Sequence, residues 1–340
     1  MIWLRRVLFG LAVAMLGLSF VNAPWLVPNR AGHVRLIANG GIAQDYLPGA
    51  RAAACPAAAI LPPLHRIFED TLRAVSTAHR MGADLVAIDL VRTADGALVL
   101  YPDTDLACRT GVSGPVSAHT LAELRQLDIG HGYTADHGAT YPLRGAGRGM
   151  IVTLDDLLDG DPRGGLLYRF PGNDPAALDL AIKVLRARGR DPVALKEGFV
   201  GSAAMAEAAQ KAFPGVWTLV PDQAAACLAA YRLIGWSGIV PGSCAGSSVT
   251  VPLDATWSLW GWPARFETRI NAGHGAVIAV ATADGTGLRH SRQLSDIPIT
   301  YRGYAMIDNF WTVGPALRPS LDARTNAEAV AAQARDDSGQ

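Results

Sequence analysis

The sequence has no excess of charge of either sign and no compact metal motif. Its 30 Lys and Arg residues balance 30 Asp and Glu residues, so the formal net charge is zero with the histidines neutral. A basic face for nucleic acid is therefore not expected. The 4 cysteines include no Cys-x-x-Cys pair, which argues against a zinc site. His119, His131 and His137 are spaced too widely for the paired histidines of a zincin.

The first 27 residues have the features of an anchor or a leader. Arg5 and Arg6 precede an uncharged apolar run from Val7 to Val21. Prolonged through Ala23 to Val27, the run reaches about 20 residues, the length that a bilayer requires. The tripeptide ending at Ala23 also resembles a small-residue cleavage site. An uncleaved single-pass anchor and a cleaved signal peptide are both open. In either case the body is exported, to the periplasmic face of the inner membrane or beyond, because the arginine pair stays in the cytoplasm.

Regular alternation of strands and helices predicts an α/β fold. An apolar run from Asp84 to Leu90 is followed by a turn signal at Ala94 to Gly96 and by a second run from Ala97 to Tyr101. With these two runs, the expected strands number eight, and the others are Val34–Ala38, Leu166–Phe170, Val193–Glu197, Trp217–Val220, Gly238–Pro241 and Ala276–Ala281. We therefore predict a (β/α)8 TIM barrel over residues 34–318. An insertion at 111–148 follows strand 3, and residues 319–340 are expected to be a disordered tail.

Several spaced blocks resemble the glycerophosphodiester phosphodiesterase family. In that family a strand ending Glu-x-Asp is followed by T-x-DG and by a strand ending His-Asp, and here the segment reads LVAIDLVRTADGALVLYPD. The block EDTLRA at Glu69 resembles the family's ENTL helix start, and TLAELRQLDIG at Thr120 and TLDDLL at Thr153 resemble later blocks. The resemblance implies hydrolysis of glycerophosphodiesters to an alcohol and glycerol 3-phosphate, with Mg²⁺ or Ca²⁺ as the cofactor.

The same resemblance implies that the catalytic positions are substituted. Other residue types stand where the family has its acid/base groups, its metal ligands and its phosphate-facing lysine: Asn39 and Gly40 for His-Arg, Ala87 for Glu, Pro102 for His, Arg169 for Glu and Pro171 for Lys. Asp89 is the one family metal ligand that is kept. No catalytic residue is expected to be intact, and metal binding is expected to be lost.

Four residues could still hold a ligand at the carboxyl ends of the strands, where a TIM barrel carries its chemistry. They are Glu69, Asp89, Asp103 and Arg169. A guanidinium binds phosphate or carboxylate through its planar fork, so the expected partner is a small molecule that bears one of these groups. Asp105 is a further candidate at the same opening.

Some histidines and tryptophans are further candidates for a role at this opening. His65 is the best-placed substitute imidazole, while His79 is expected to face solvent or core. Trp257, Trp260 and Trp262 fall between strand 7 and its helix, where they would form an apolar plug or a ligand or membrane contact.

The cysteines fit an oxidising compartment. Cys55 and Cys108 are expected in loops on the same barrel face, and Cys227 and Cys244 near consecutive elements. We predict disulfides Cys55–Cys108 and Cys227–Cys244, with four buried free thiols as the alternative.

Three functions are compatible with these features. The first is a glycerophosphodiester phosphodiesterase-like envelope protein that has lost metal-dependent catalysis. The second is an active phosphodiesterase with a rearranged site. The third is a non-catalytic structural envelope protein.

Overall fold

The computed structural model describes residues 2–23, 26–27 and 33–339. Within these ranges the strands are β1 Arg35–Asn39, β2 Leu85–Arg92, β3 Leu98–Leu100, β4 Leu166–Arg169, β5 Gly198–Val200, β6 Trp217–Leu219, β7 Val249–Pro252, β8 Val277–Val280 and β9 Tyr304–Ile307. The α-helices are α1 Ile2–Asn22, α2 Leu72–Arg80, α3 Ala107–Thr110, α4 Leu121–Leu124, α5 Leu154–Gly160, α6 Pro175–Ala187, α7 Ala203–Ala212, α8 Pro221–Ile234, α9 Ala264–Asn271, α10 Phe310–Leu317 and α11 Asn326–Ser338.

Eight of these strands form a nearly closed parallel barrel. Their order is β6-β5-β4-β2-β1-β9-β8-β7, and every neighbouring pair in that order is parallel. At the seam between β6 and β7, the Ser248 N–H donates to the Thr218 carbonyl at 3.4 Å. Most residues of the barrel strands are apolar and almost wholly buried, as in Ile37, Ile88 and Ile278. The predicted TIM barrel is confirmed.

The predicted strand count is correct, but three of the predicted barrel members are wrong. The second run, β3, pairs antiparallel with the end of β2 and stands outside the barrel order. Gly238–Pro241 is irregular, and the strand in this region is β7, further along the chain. The missed strand is β9, which pairs with β1. In addition, Val193–Glu197 is a turn in which Lys196 adopts φ 58°, so the fifth strand begins only at Gly198.

The helices begin where short polar side chains cap them. The Thr71 hydroxyl accepts from the Ala74 N–H at the start of α2, and Thr153 and Asp156 form a capping box at α5. The buried face of α2 includes Ala74 and Ala78, small residues that let the helix lie close to the barrel.

The loop after β1 and the insertion form a second apolar cluster above the carboxyl ends of the strands. Its fully buried members include Tyr46, Phe68 and Tyr133. The Cys55–Cys108 disulfide, with its Cα atoms 5.1 Å apart, joins the loop after β1 to α3, directly before the insertion. The second predicted disulfide, Cys227–Cys244, is also present, with a Cα separation of 4.7 Å. Both predicted pairings are confirmed, and the first one holds the cover of the barrel in place.

Residues 319–339 of the C-terminal tail are ordered, so the prediction of disorder for residues 319–340 was wrong over this range. Thr325 and Glu328 form a capping box at the start of α11. Ala332 is fully buried, and the buried Asp336 carboxylate accepts a hydrogen bond from the Ser291 hydroxyl. A single alanine-rich face was too weak a periodic signal to indicate this packing from the sequence.

The N-terminal helix α1 projects from the barrel. The 20 residues Trp3–Asn22 are long and apolar enough to cross a membrane, and none of this span is buried inside the protein. Near its end, the Asn22 side chain donates to the Trp236 carbonyl at 2.7 Å. Pro24 and Trp25, which the sequence argument used to prolong the run, lie outside the described residues.

Candidate functional site

The expected site residues meet at the carboxyl ends of the barrel strands. Asn39 and Arg169 end β1 and β4, Asp89 lies in β2, and Asp103 follows β3. These four residues and Glu69 line one cavity of about 200 Å³. A larger cavity, of about 800 Å³, opens at the amino ends of the strands. We take the smaller cavity as the candidate site because TIM-barrel chemistry occupies the carboxyl-terminal face.

Arg169 holds the centre of this site. Its Nη1 donates to Asn39 Oδ1 and its Nη2 to Asp89 Oδ2, both at 2.6 Å. Asn39 Nδ2 in turn donates to Asp308 Oδ1 at 2.7 Å. The third guanidinium nitrogen, Arg169 Nε, is buried and has no hydrogen-bond partner among the described residues.

Asp70 lies beneath Asp89 and was not predicted as a site residue from the sequence. Its Oδ1 accepts from the Asp89 backbone N–H at 2.9 Å, whereas its buried Oδ2 has no hydrogen-bond partner among the described residues. Burial, followed by the charge of Asp89, raises the pKa of Asp70 well above its usual value. Burial also raises the pKa of Asp89, against the opposing effect of Arg169. Asp70 is therefore protonated more readily than an ordinary aspartate and can donate a hydrogen bond.

Glu69 and Asp103 are already paired within the protein. Arg109, from α3, donates to Glu69 Oε1 at 2.8 Å and to Asp103 Oδ2 at 2.6 Å. Tyr46 and Tyr133 complete this buried group, with Tyr46 donating to Glu69 and Arg109 donating to Tyr133. Burial alone would raise the pKa of Glu69, but Arg109 and Arg51 outweigh it and hold the pKa below its usual value.

A third guanidinium stands at the rim of the cavity. Arg51 lies over the Tyr46 ring, with its Cζ 4.8 Å from the ring centroid, and its Nε is 3.7 Å from Asp308 Oδ2. Its side chain keeps 29% of its surface exposed. Arg51 and Arg109 were not predicted as site residues from the sequence. Arg109 could have been predicted, because it is next to Cys108 and the predicted disulfide places that segment at the opening.

Other candidates lie away from the cavity. The partly buried His65 contacts the Trp311 ring and accepts from the Ile67 N–H, and burial lowers its pKa to about 4. His79 pairs with Asp161 at 2.5 Å. Asp105 accepts from the Ala107 N–H at the start of α3, outside the cavity lining. His65, the best-placed imidazole in the sequence, does not act as a substitute at the opening, because it packs under the loop after β1.

The tryptophan segment also lies away from this cavity. Trp260 Nε1 donates to the Arg232 carbonyl at 3.2 Å, near the end of α8. Trp262 packs against Tyr301 and Phe266. A plug over the opening was one of two alternatives for this segment, and Trp260 and Trp262 do not form it, because they contact the end of α8 and the rings of Phe266 and Tyr301.

Comparison with known proteins agrees with this architecture. Residues 53–169 match the model of the glycerophosphoryl diester phosphodiesterase family. This segment is about a third of the chain, and over it the sequence resembles that family. A glycerophosphodiester phosphodiesterase of Bacillus subtilis is 33% identical over 108 residues, which is 29% of this chain and 36% of the relative. The match thus spans about a third of that relative's length.

Solved structures show the same fold at low sequence identity. The glycerophosphoryl diester phosphodiesterase domain of an uncharacterized Mycobacterium tuberculosis protein has a TM-score of 0.54 and 17% identity, over 89% of this chain and all of that domain. An Oleispira antarctica phosphodiesterase, solved with the product sn-glycerol-3-phosphate, has a TM-score of 0.54 and 18% identity, over 84% of this chain and 97% of that chain.

The substituted family positions are built into the local packing. A Cβ added at Gly40 would lie 2.7 Å from the Glu69 Cβ, and Gly40 also adopts φ 73°. Ala87 is fully buried, and Pro171 begins a short 3-10 helix after β4. A side chain at residue 40 could therefore be accommodated only if Glu69, just before α2, moved away.

The residues at the family's metal position do not fit a divalent cation. Hard cations bind several oxygen ligands, usually carboxylates. Asp89 supplies one carboxylate, and the Arg169 guanidinium is hydrogen-bonded to it. A metal ion there would have to displace that cation or lie against it. Among the described residues, no group of three or more His, Cys, Asp or Glu side chains is arranged to hold a metal.

Proposed function

We propose that this chain is a membrane-anchored, exported member of the glycerophosphodiester phosphodiesterase family that binds a small phosphate- or carboxylate-bearing molecule without metal-dependent hydrolysis. The observation that carries the proposal is the Arg169 guanidinium between Asn39 and Asp89. It supplies a fixed positive charge at the position where the family resemblance implies a metal ligand.

Two donors without partners favour a ligand rich in acceptor oxygens. They are Arg169 Nε and, in its protonated form, Asp70 Oδ2. A buried donor left without an acceptor costs about 1–3 kcal/mol. Both side chains line the same cavity, so one phosphate or carboxylate group could accept from both. The partly exposed Arg51 adds a cation at the entrance.

The loss of hydrolysis follows from what the reaction needs. A metal stabilises the developing charge by several kcal/mol, and a positioned acid or base typically contributes about 10² to 10⁴ in rate. The family positions for these groups hold Asn39, Pro102 and Arg169, which supply neither imidazole nor carboxylate.

The test combines turnover with binding, using the full chain in detergent or nanodiscs. We expect no chelator-sensitive release of glycerol 3-phosphate from glycerophosphocholine. In calorimetry, glycerol 3-phosphate should bind to the wild type, and Arg169→Gln should weaken binding. Arg188→Gln is the matched control, since Arg188 pairs with Asp155 and Asp159 on an exposed helix surface. Robust hydrolysis that a chelator abolishes would contradict the proposal.

Asp70 supports one alternative, hydrolysis by a rearranged site. A carboxyl group with a raised pKa can act as a general acid near neutral pH. In that case glycerol 3-phosphate release would be insensitive to chelators and would be lost in Asp70→Asn. Neither turnover nor binding would favour the third possibility, a structural envelope protein.

The anchor is supported by the composition and surroundings of α1. Its described side chains are mostly exposed and apolar, Arg5 and Arg6 stand near its start, and the two disulfides are compatible with export. Mass spectrometry of the membrane fraction distinguishes the two forms, because a protein cleaved after Ala23 would lack α1.

A further inference from the structure

A group of exposed apolar side chains surrounds the point where α1 meets the barrel. We call this group the collar. It lies at the end of α8, in the turn that follows, and in the connection after β7. Its members are Leu233, Trp236, Ile239, Trp257 and Trp260, which keep 76%, 45%, 63%, 88% and 42% of their surfaces exposed. Large apolar patches of this kind are rare on soluble monomers and indicate an interaction surface.

The collar is adjacent to α1 through direct contacts. Asn22 Nδ2 donates to the carbonyl of Trp236, a collar residue. A Cβ added at Gly238, next to Ile239, would lie 2.7 Å from Val21 Cγ1. On the other side, Gly261 follows Trp260, and its added Cβ would lie 3.4 Å from the Asn22 carbonyl oxygen. The collar therefore borders the last turn of α1 on two sides.

Two arginines of the barrel fix the direction of α1. Arg269 Nη2 donates to the Val21 carbonyl at 3.1 Å, and Arg265 Nε donates to the Ala23 carbonyl at 3.3 Å. These carbonyls are at the end of a helix, where they have no partner within the helix, and a cation there also suits the helix dipole. Such contacts make α1 and the collar one continuous surface.

The length of α1 places the collar at a defined depth. Its 21 residues span about 31 Å at 1.5 Å per residue, which matches the hydrocarbon thickness of about 30 Å. A helix that begins near one interface therefore ends at the other. Tryptophan is enriched at this level because its ring is apolar and its N–H is polar. Three tryptophans at the exit point of an apolar helix fit that position.

We propose that the collar rests in the headgroup region of the non-cytoplasmic leaflet and holds the barrel against the bilayer by its side. The proposal rests on the anchor described above. It commits to lipid as the occupant because the collar continues the surface of α1, whose own exposed side chains require lipid. In this orientation the membrane contacts the barrel beside β6 and β7, and the ligand cavity at the carboxyl ends stays open to water.

The test uses the full chain in nanodiscs, with a fluorescent dye on an introduced cysteine. The four native cysteines are paired in disulfides, so only the new thiol is labelled. Trp257→Cys and Ile239→Cys report on the collar at two independent points. Val330→Cys is the matched control, since Val330 is 69% exposed on α11, which packs against α10.

Quenchers in lipid and in water separate the outcomes. We expect a lipid-attached quencher about 5–10 Å below the surface to reduce the emission of both collar dyes at least about twofold. The control dye should respond only to aqueous iodide. Collar dyes that iodide quenches as strongly as the control would overturn the proposal. Collar dyes shielded from both quenchers would also overturn it, in favour of a second protein copy at this surface.

The failure of the anchor would look different. A chain that does not stay with nanodiscs during gel filtration would show that the anchor itself is wrong, and the collar proposal would fall with it. A chain that stays with the discs while its collar dyes remain open to water would overturn the collar alone.

Discussion

Arg169 and Asp89 are cross-strand partners as well as an ion pair. Their Cα atoms are in register between β4 and β2, and Arg169 Nη2 lies 2.6 Å from Asp89 Oδ2. The backbone pairing thus places the two side chains next to each other, whichever rotamers they adopt. The positive charge at the centre of the site is therefore part of the barrel and not of a mobile loop.

We expect Arg169→Gln to destabilise the protein because Asp89 would lose its countercharge. Breaking a buried pair costs about 3–5 kcal/mol, whereas exposed pairs contribute about 0–1 kcal/mol. This pair is partly exposed, so we expect a loss of about 2 kcal/mol in urea unfolding. The double variant Arg169→Gln/Asp89→Asn should recover much of it. Equal stability of the wild type and Arg169→Gln would show that the pair is not coupled.

Asp70 should make stability fall as the pH rises. Its pKa is raised by burial and by Asp89, so the folded state holds the proton more tightly than the unfolded chain. The loss begins above the ordinary value of 3.8 and continues through the raised folded pKa. Asp70→Asn keeps the acceptor for the Asp89 N–H but has no proton to lose. Its melting temperature should therefore fall less between pH 5 and pH 8 than that of the wild type, as thermal unfolding in this range would measure.

The control for this effect is Asp179→Asn on the exposed face of α6. It should follow the wild type across the pH range. Identical slopes in the Asp70 and Asp179 variants would mean that Asp70 is ionised in both the folded and the unfolded state.

His65 should make the stability fall as the pH falls, which is the opposite pH dependence to that of Asp70. Burial lowers its pKa from 6.5 to about 4, so the folded state disfavours the proton that the unfolded chain accepts. Stability from this group is complete above pH 6.5 and is lost as the pH falls toward 4. His65→Gln should remove a loss of about 2 kcal/mol between pH 7 and pH 5 in urea unfolding. The exposed His33→Gln serves as the control, and an unchanged pH slope in His65→Gln would contradict the expectation.

Restoring the family residues should recover metal binding and some hydrolysis. The changes are Asn39→His, Ala87→Glu, Pro102→His, Arg169→Glu and Pro171→Lys, which return a second and third carboxylate and both imidazoles. Because one carboxylate cannot hold Mg²⁺ and three can, calorimetry with Mg²⁺ should show binding only in the restored chain. Chelator-sensitive turnover is the second measurement.

Gly40→Arg completes the family pattern, but the structure opposes it. The new Cβ would meet Glu69 at 2.7 Å, at a φ that side chains rarely adopt. We expect the variant with all six substitutions to melt at a lower temperature than the variant with the other five. Equal or higher stability of the six-substitution variant would show that the segment before α2 moves freely.

The sequence was sufficient to predict the barrel and both disulfides because these depend on apolar runs and loop order. It misassigned strands where the signals were local and weak. β9 has four residues and is followed directly by Asp308, whereas β3 has a clear apolar run but forms a hairpin with β2. An apolar run alone does not say which neighbour a strand pairs with.

The site was predicted only in part for a related reason. Asp89 and Arg169 lie in the neighbouring strands β2 and β4, so the topology alone brings them together. Arg51 comes from the loop after β1 and Arg109 from the short helix α3, and the positions of both segments depend on tertiary packing. Asp70 was visible beside Glu69, but its raised pKa depends on burial beneath Asp89, which no local pattern reveals.

The pairing of β1 with β9 has a consequence for how the chain matures. The paired residues Arg35 and Tyr304 are 269 positions apart, so the first barrel strand to be synthesised pairs with the last. Until β9 emerges, the edge of β1 that it will cover lies exposed, separated by 12 residues from the end of the apolar N-terminal helix. Open edges of this kind invite wrong pairing and aggregation. A nascent chain that stalls before residue 304 should therefore depend on chaperones, however stable the finished barrel is.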